Sequence, residues 1–379
     1  MALVLTEEQE MLRDSAQGFV QERAPVSLLR RLRADDVPER FDRDVWREMA
    51  EMGFAGVLVP EAQGGAGFGF VGAGVIAEEM GRTLAASPFL SSSVMAATAL
   101  GQAGTDEQKD AYLPGVASGE RIMTLAVDER RKHGPSRVET RAERSGNGFK
   151  LTGDKTFVAD GLAADQLIVA ARTGGGEADE EGITLFVVDA GAAGVTCERM
   201  ATVDERGHAR IRLDGVEVDG DAVLGEVDGG YAPLEKALNG GRAVLCAEMT
   251  GAAGAAFDMT MGYLKERKQF GQEIGRFQAL QHRAAHLLAE MEMARAVTLQ
   301  ALQAMDEDMN EAGPTVSLAK AKVGQVAKLA TQEAIQMHGG IGMTDEYDVG
   351  FYLKRVRVAQ EMLGDPDFHT NRLAGILRY

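Results

Sequence analysis

Apolar residues recur at helical spacing at both ends of this chain and alternate along its middle. Thr6-Glu7-Glu8-Gln9 is a capping box, in which a threonine hydroxyl and a glutamine side chain satisfy each other's backbone amides at a helix entry. Leu12, Ala16, Phe19 and Val20 then follow helical spacing. A second stripe, Val45, Met49 and Met52, stops at Gly53, and further helices are predicted over 74–83 and 93–101, around the break at Pro88. From residue 121 to 228 the period changes. Phe149-Lys150-Leu151-Thr152 alternates, and Ser145-Gly146-Asn147-Gly148 before it has hairpin-turn chemistry. Short apolar runs at Leu167–Ala171, Ile183–Val188, Val195–Cys197 and Ile211–Leu213, separated by Gly/Asp/Glu clusters, predict a small antiparallel barrel or sandwich.

After Gly229-Gly230 the helical period returns, with three long candidates over 241–268, 276–307 and 314–337. The first is rich in small residues (Ala247, Gly251 to Ala256), which permit close helix approach. Gly313-Pro314 separates the second from the third. The fold class is therefore α+β, mostly α: an N-terminal helical domain (1–120), a middle β-barrel or sandwich domain (121–228) and a C-terminal four-helix-bundle-like domain (229–379).

Composition narrows the function classes. The chain has 379 residues, 45% of them hydrophobic, 26% charged, and a net charge of −18. That suits two or three globular domains. The acidity argues against a nucleic-acid partner, whose affinity rests on basic patches, and against anionic membrane surfaces. No run approaches the roughly 20 apolar residues of a membrane span. The first residues lack the basic region of a signal peptide, and Cys197 and Cys246 make no disulfide framework. A cytoplasmic location is the expectation.

Two polar, glycine-bearing motifs interrupt the C-terminal helices. One runs from Tyr263 through Arg267-Lys268-Gln269-Phe270-Gly271 to Phe277-Gln278; the other is Gln336-Met337-His338-Gly339-Gly340-Ile341-Gly342. Arginine offers a planar fork of donors to a phosphate. A Gly-Gly pair lets backbone approach a ligand closely. Together they suggest a nucleotide whose pyrophosphate meets arginine. Other candidate motifs fail. Gly67-Phe68-Gly69-Phe70-Val71-Gly72 has the G-x-G-x-x-G spacing, but position 92 is Ser92 where an acid is needed, so it reads as a glycine-rich loop. His282 and His286 share a helix face without a third ligand nearby, so no metal is expected.

On these two motifs the chain resembles the acyl-CoA dehydrogenase flavoprotein family, over nearly its whole length. Pro60-Glu61-Ala62-Gln63-Gly64-Gly65, Glu78-Glu79-Met80-Gly81-Arg82 and Leu113-Pro114-Gly115 are similar to family landmarks. The resemblance implies that Arg267, Gln278, Gln336, Met337, His338, Gly339 and Gly340 bind the ADP portion of an FAD seated mainly in a neighbouring subunit. It therefore implies at least a dimer, a homo- or hetero-oligomer (dimer or tetramer), with acyl-CoA as substrate and an electron-transfer flavoprotein as partner. Lys155-Thr156-Phe157-Val158-Ala159 sits where the family has a Lys-x-Trp-Ile-Thr strand lining the flavin ring. Phe157 keeps an aromatic there.

Two departures stand out. Where the family has Thr-Glu-Pro-x-x-Gly-Ser-Asp, this chain has Ala126 to Ser136, with a basic run from Arg130 to His133. The family's catalytic glutamate occupies either of two positions. Gly241 fills one. For the other, counting forward from Arg355 reaches Gly364, and counting back from Arg372-Leu373 reaches Asp365. Asp365 is the catalytic base that the resemblance implies, with Glu248 a weaker candidate and a plain turn residue the alternative. Two functions follow: an FAD-dependent acyl-CoA dehydrogenase, or a non-catalytic subunit that completes a partner's FAD site.

Overall fold

The computed structural model describes residues 3–379. Six helices lead the chain: α1 (Glu7–Arg23), α2 (Val26–Ala34), α3 (Arg43–Glu51), α4 (Gly69–Thr83), α5 (Ala97–Ala103) and α6 (Asp106–Ala117). The Thr6 capping box forms, with Gln9 N donating to the Thr6 hydroxyl at 3.3 Å and Thr6 N donating to the Gln9 side chain at 3.0 Å. Val45, Trp46 and Met49 are the buried face of α3, and Gly53 beyond it takes a positive φ of 81°. A wide π-helical segment, Phe89–Ala96, leads directly into α5, so the predicted 93–101 helix starts earlier than its apolar pattern suggested.

The strands are β1 (Met123–Ala126), β2 (Arg141–Ser145), β3 (Gly148–Val158), β4 (Gln166–Arg172), β5 (Ile183–Asp189), β6 (Val195–Arg199), β7 (Ala209–Val218) and β8 (Val223–Leu224). Then follow α7 (Tyr231–Glu266), a short hairpin of β9 (Lys268–Gln269) and β10 (Gln272–Glu273), α8 (Gln278–Glu307), α9 (Gly313–His338), α10 (Val349–Glu361) and α11 (Pro366–Leu377). The chain folds into two compact units: residues up to Arg31 with 70–85 and 242–379, and residues 32–69 with 86–241.

In the first unit, α4 and α7 touch backbone to backbone. A Cβ on Gly251 would lie 1.9 Å from the Glu78 carbonyl oxygen, and one on Gly81 would lie 2.0 Å from that of Glu248. Alanine at either position would force the helices apart. Asp306 of α8 caps α4, accepting from the amides of Phe70 at 2.6 Å and Val71 at 3.0 Å. α9 packs against α8, α10 and α11.

In the second unit the strands order as β6-β7-β3-β2-β4-β5-β8, with β1 also on β4. Ser145 pairs with Gly148 around Gly146 and Asn147, closing the predicted hairpin. The sheet is antiparallel except for two pairings that the sequence reading did not anticipate. β1 runs parallel to β4 over Gln166–Val169, and β2 meets it in parallel at Arg172. β1 and β2 thus share one edge of β4, running the same way, and the chain between them bulges out as the 127–140 loop. The sheet's core is built on Leu151, Val169, Ile211, Leu213 and the edge-to-face pair Phe149–Phe186, whose ring centroids are 5.1 Å apart.

Candidate cofactor and catalytic sites

The first candidate site lies where α7 and α9 end. The Arg267 amide donates to the Tyr263 carbonyl at 2.9 Å, and the Arg267 carbonyl accepts from Ile274 N at 2.8 Å. Its backbone is pinned on both sides while its side chain stays exposed. Phe270 (φ 55°) and Gly271 (φ 82°) turn the β9–β10 hairpin, with Phe270 92% exposed. Gln278 opens α8 and is exposed. At the end of α9, Gln336, Gly339 and Gly340 are exposed, and Gly339 has a φ of 65°. A Cβ on either glycine would meet nothing within 4 Å, so the turn presents bare backbone to open space.

Met337 and His338 differ from their neighbours, because both side chains are buried. The His338 ring stacks on Tyr263 at 4.6 Å and lies 4.9 Å from Tyr347. Its Nδ1–H donates to the Ala334 carbonyl at 2.7 Å. Burial lowers its pKa, outweighing that hydrogen bond, so the imidazole is neutral. What Met337 and His338 can offer a cofactor is therefore backbone. The Tyr263–His338 stack brings the two motifs together. An exposed guanidinium, exposed amides and side-chain-free backbone form a donor set that fits the diphosphate and adenosine of a dinucleotide.

The second candidate site is the 127–140 loop with the end of β3. Both Asp128 oxygens face His133 Nδ1, at 3.0 and 2.8 Å, and Oδ1 accepts from Gly134 N at 3.2 Å. Burial pushes this carboxyl up, but His133 and its hydrogen bonds hold it below the usual range. Lys155 is fully buried and donates to Glu129 Oε1 at 2.6 Å and to the Val127 carbonyl at 3.1 Å. Glu129 also accepts from the amides of Glu139 at 2.6 Å and Thr140 at 3.0 Å. Arg130 is tied to Glu139 and Glu177. Two members of the basic run, Arg130 and His133, are thus matched to acids of this chain, and the loop does not fit a phosphate through them. Phe157 has a φ of 56°; its amide donates to Met200 Sδ at 3.2 Å and its ring stands edge-on to His208 at 4.4 Å.

The third site is the turn between α10 and α11. Asp365 is the N-cap of α11, with Oδ1 accepting from Phe368 N at 2.8 Å. Leu363 and Gly364 both take positive φ, 58° and 104°. A Cβ on Gly364 would lie 2.4 Å from Phe368 Cδ1 and 2.7 Å from His369 Nε2, so no side chain fits there. Of the two positions reached by counting, only Asp365 can carry a carboxylate. Three buried groups hold the turn: Arg242 Nε and His369 Nε2 donate to the Leu363 carbonyl at 3.1 and 3.0 Å, and Lys320 Nζ donates to that of Gly364 at 2.9 Å. Glu248 forms a bidentate pair with Arg355 at 2.7 and 3.0 Å. The sequence reading missed Lys320, His369 and Arg355. Lys320 carried a signal, as a charge inside the apolar stripe of Val316, Ala319 and Val323.

Sequence profiles of the acyl-CoA dehydrogenase N-terminal, middle and C-terminal domains match residues 6–120, 132–216 and 228–377. The chain belongs to the acyl-CoA dehydrogenase family. It is 32% identical to the 3-(aryl)acrylate reductase of Clostridium sporogenes, over 94% of both chains. Among solved structures it is similar to a variant of the Tcur3481–Tcur3483 steroid ACAD, with 33% identity, a TM-score of 0.87 and 98% of each chain covered. The ChsE4–ChsE5 complex from Mycobacterium tuberculosis is 29% identical, with a TM-score of 0.89, over 100% of this chain and 99% of that one. The family's three-domain, mostly helical fold with a sheet-containing middle domain is the fold of this chain. Among the described residues no helix is long and apolar enough to cross a membrane.

Proposed function

We propose that this chain takes part in FAD-dependent α,β-dehydrogenation of an acyl-CoA thioester, as one subunit of an oligomer. The observation that carries the reading is the stacking of Tyr263, one turn before Arg267, on His338, which leads directly into the bare backbone of Gly339 and Gly340. Arg267, Gln278, Gln336 and the backbone of Met337 to Gly340 hold the ADP portion of an FAD seated mainly in a neighbouring subunit, and Phe157 belongs to the strand that lines the flavin ring of the chain's own FAD. When bound, FAD supplies the hydride acceptor and the route for electrons to an electron-transfer flavoprotein. Asp365 takes the α-proton, a step that needs a carboxylate within hydrogen-bond reach.

A second reading has its own support. Asp365 already caps a helix, Glu248 is engaged by Arg355, and Arg130 and His133 are matched to acids. Two similar structures are described as pairs of named chains. On this reading the chain is the non-catalytic subunit of a heteromeric acyl-CoA dehydrogenase, and its α7 and α9 ends complete the partner's FAD site.

One experiment separates them. The protein is purified alone and co-expressed with a neighbouring family member, FAD per chain is counted, and flavin bleaching is followed with a panel of acyl-CoAs that includes a steroid-derived one. One FAD per chain, bleached by the protein alone, supports the first reading. Colourless protein that gains a bleachable flavin only in the pair supports the second. No flavin in either preparation sinks both.

A further inference from the structure

Lys320 lies in the N-terminal third of α9 with its side chain fully buried. Its Nζ donates to the carbonyls of Ala359 at 3.2 Å, Gln360 at 3.0 Å and Gly364 at 2.9 Å. An ammonium has three N–H groups, and each has a carbonyl. Ala359 and Gln360 belong to the last turn of α10, where carbonyls lack intrahelical partners and the helix dipole favours a cation. The Gly364 carbonyl lies beyond the helix, in the turn itself. One side chain therefore ties the end of α10 to the peptide immediately before Asp365.

The rest of the turn is equally fixed. Leu363 is held in the left-handed region, which a branched side chain rarely adopts, and its carbonyl receives both Arg242 and His369. Backbone in such conformations persists where surrounding structure over-determines it, and it clusters where geometry must be exact in function. Burying an ammonium among carbonyls is costly, and an apolar side chain would fill the same space more cheaply. A lysine here therefore marks a demand for position.

We infer that Lys320 is a positioning residue, setting the place of the Asp365 carboxylate through the Gly364 carbonyl, so that the chemical step depends on it more than acyl-CoA binding does. This rests on the reading of Asp365 as the base. A misplacement of about 1 Å can cost on the order of a hundredfold in rate.

The test uses the FAD-loaded protein, with its partner chain if flavin binds only in the pair. Acyl-CoA-driven flavin reduction is measured for wild type, Lys320→Met, Asp365→Asn and the double variant. Lys320→Met should lower kcat about tenfold or more, with KM changed by less than about twofold. In the Asp365→Asn background it should add almost nothing. Penalties that multiply in full would overturn the positioning role, as would an unchanged kcat. A wild-type rate in Asp365→Asn alone would instead remove the base reading, before Lys320 is touched.

If Lys320→Met does not fold, the pH profile of the wild type carries the test. Burial brings Lys320 down to about 8. The groups facing it are Cys246 and Arg242 of α7, Glu361 of α10, and Asp365 and His369 beyond the turn. Burial pushes the Cys246 thiol up to about 12, and burial with Arg242 and Lys320 holds His369 neutral, so neither titrates there. A neutral amine has two N–H groups for the three carbonyls. kcat should therefore fall above about pH 8 with KM steady; a flat kcat across that range overturns the proposal.

Discussion

The ring of Tyr263 stacks on the imidazole of His338, with centroids 4.6 Å apart and planes 28° from parallel. Tyr263 lies one turn before Arg267, whose amide it accepts, and His338 leads directly into Gly339-Gly340. The stack is thus the joint between the two motifs. An aromatic pair of this kind contributes about 0.5–1.5 kcal/mol beyond its buried area. Tyr263→Ala should loosen the joint and weaken FAD retention several-fold, while Tyr263→Phe should keep it. Fluorescence titration of apoprotein with FAD measures this; wild-type affinity in Tyr263→Ala would show that the joint does not serve the cofactor.

Arg267 should matter through its charge and fork. A hydrogen bond to a charged group is worth roughly 1.5–3 kcal/mol, so Arg267→Ala should weaken FAD binding about tenfold or more. Arg267→Lys should recover only part of this, since an ammonium cannot offer two parallel donors. Lys268, which lies 3.9 Å from Glu273, serves as a neighbouring control. Equal losses from Arg267→Ala and Lys268→Ala would point to general surface charge.

The elements were largely legible because their signals are local. The Thr6 box, the Gly146-Asn147 turn and the small residues facing Glu78 each act through neighbours in sequence or on one helix face. α7 was harder. Asn239-Gly240-Gly241 looks like a break, since interior glycine costs roughly 1 kcal/mol each, yet those residues are buried inside a helix that begins at Tyr231. The parallel pairing of β1 and β2 with β4 has no local signature, because it depends on which edge a returning strand finds. The site was legible as motifs but not as pairings. Nothing in the run Arg130 to His133 says that His133 will turn onto Asp128 and Arg130 onto Glu139 and Glu177.

The bidentate pair between Glu248 and Arg355 gives a stability prediction. Both side chains are nearly buried, 12% and 9% exposed. Removing one partner from such a pair typically costs about 3–5 kcal/mol, because the other charge is left uncompensated. Glu248→Ala should therefore lower the denaturant midpoint strongly, and Glu248→Ala with Arg355→Met should recover much of the loss. If Glu248→Ala instead folds normally and loses only flavin reduction, Glu248 is the base and Asp365 is not.

The pair of Glu129 and Lys155 predicts how stability responds to acid. Burial raises the Glu129 carboxyl, but the Lys155 charge and hydrogen bonds from Lys155 and Thr140 outweigh it, leaving it below the usual value. An acid with a depressed folded pKa contributes stability in full above its unfolded value, about 4.3 for glutamate. That contribution is lost as pH falls through the lower folded value. Lys155→Met removes the charge that depresses the carboxyl. The variant should therefore be less stable than wild type at neutral pH but lose less of its stability on acidification, as read from melting temperatures across an acid series. Coincident acid limbs would show that the pair is not linked to folding.

Asp365 is both the N-cap of α11 and the proposed base, and the two roles can be separated chemically. Asparagine caps a helix about as well as aspartate, whereas alanine costs about 1 kcal/mol. Asparagine cannot accept a proton at neutral pH. Asp365→Asn should therefore melt close to wild type and keep its FAD. Its flavin reduction by acyl-CoA should fall by about 10²–10⁴-fold, the usual contribution of a general base. Asp365→Ala should lose both activity and stability. Asp365→Glu restores the carboxylate one methylene longer and should retain part of the rate. If Asp365→Asn reduces flavin as fast as wild type with a confirmed substrate, the carboxylate is a cap only. The proton acceptor is then either Glu248 or a carboxylate of another chain; if Glu248→Gln also reduces flavin at the wild-type rate, the heteromeric reading is supported.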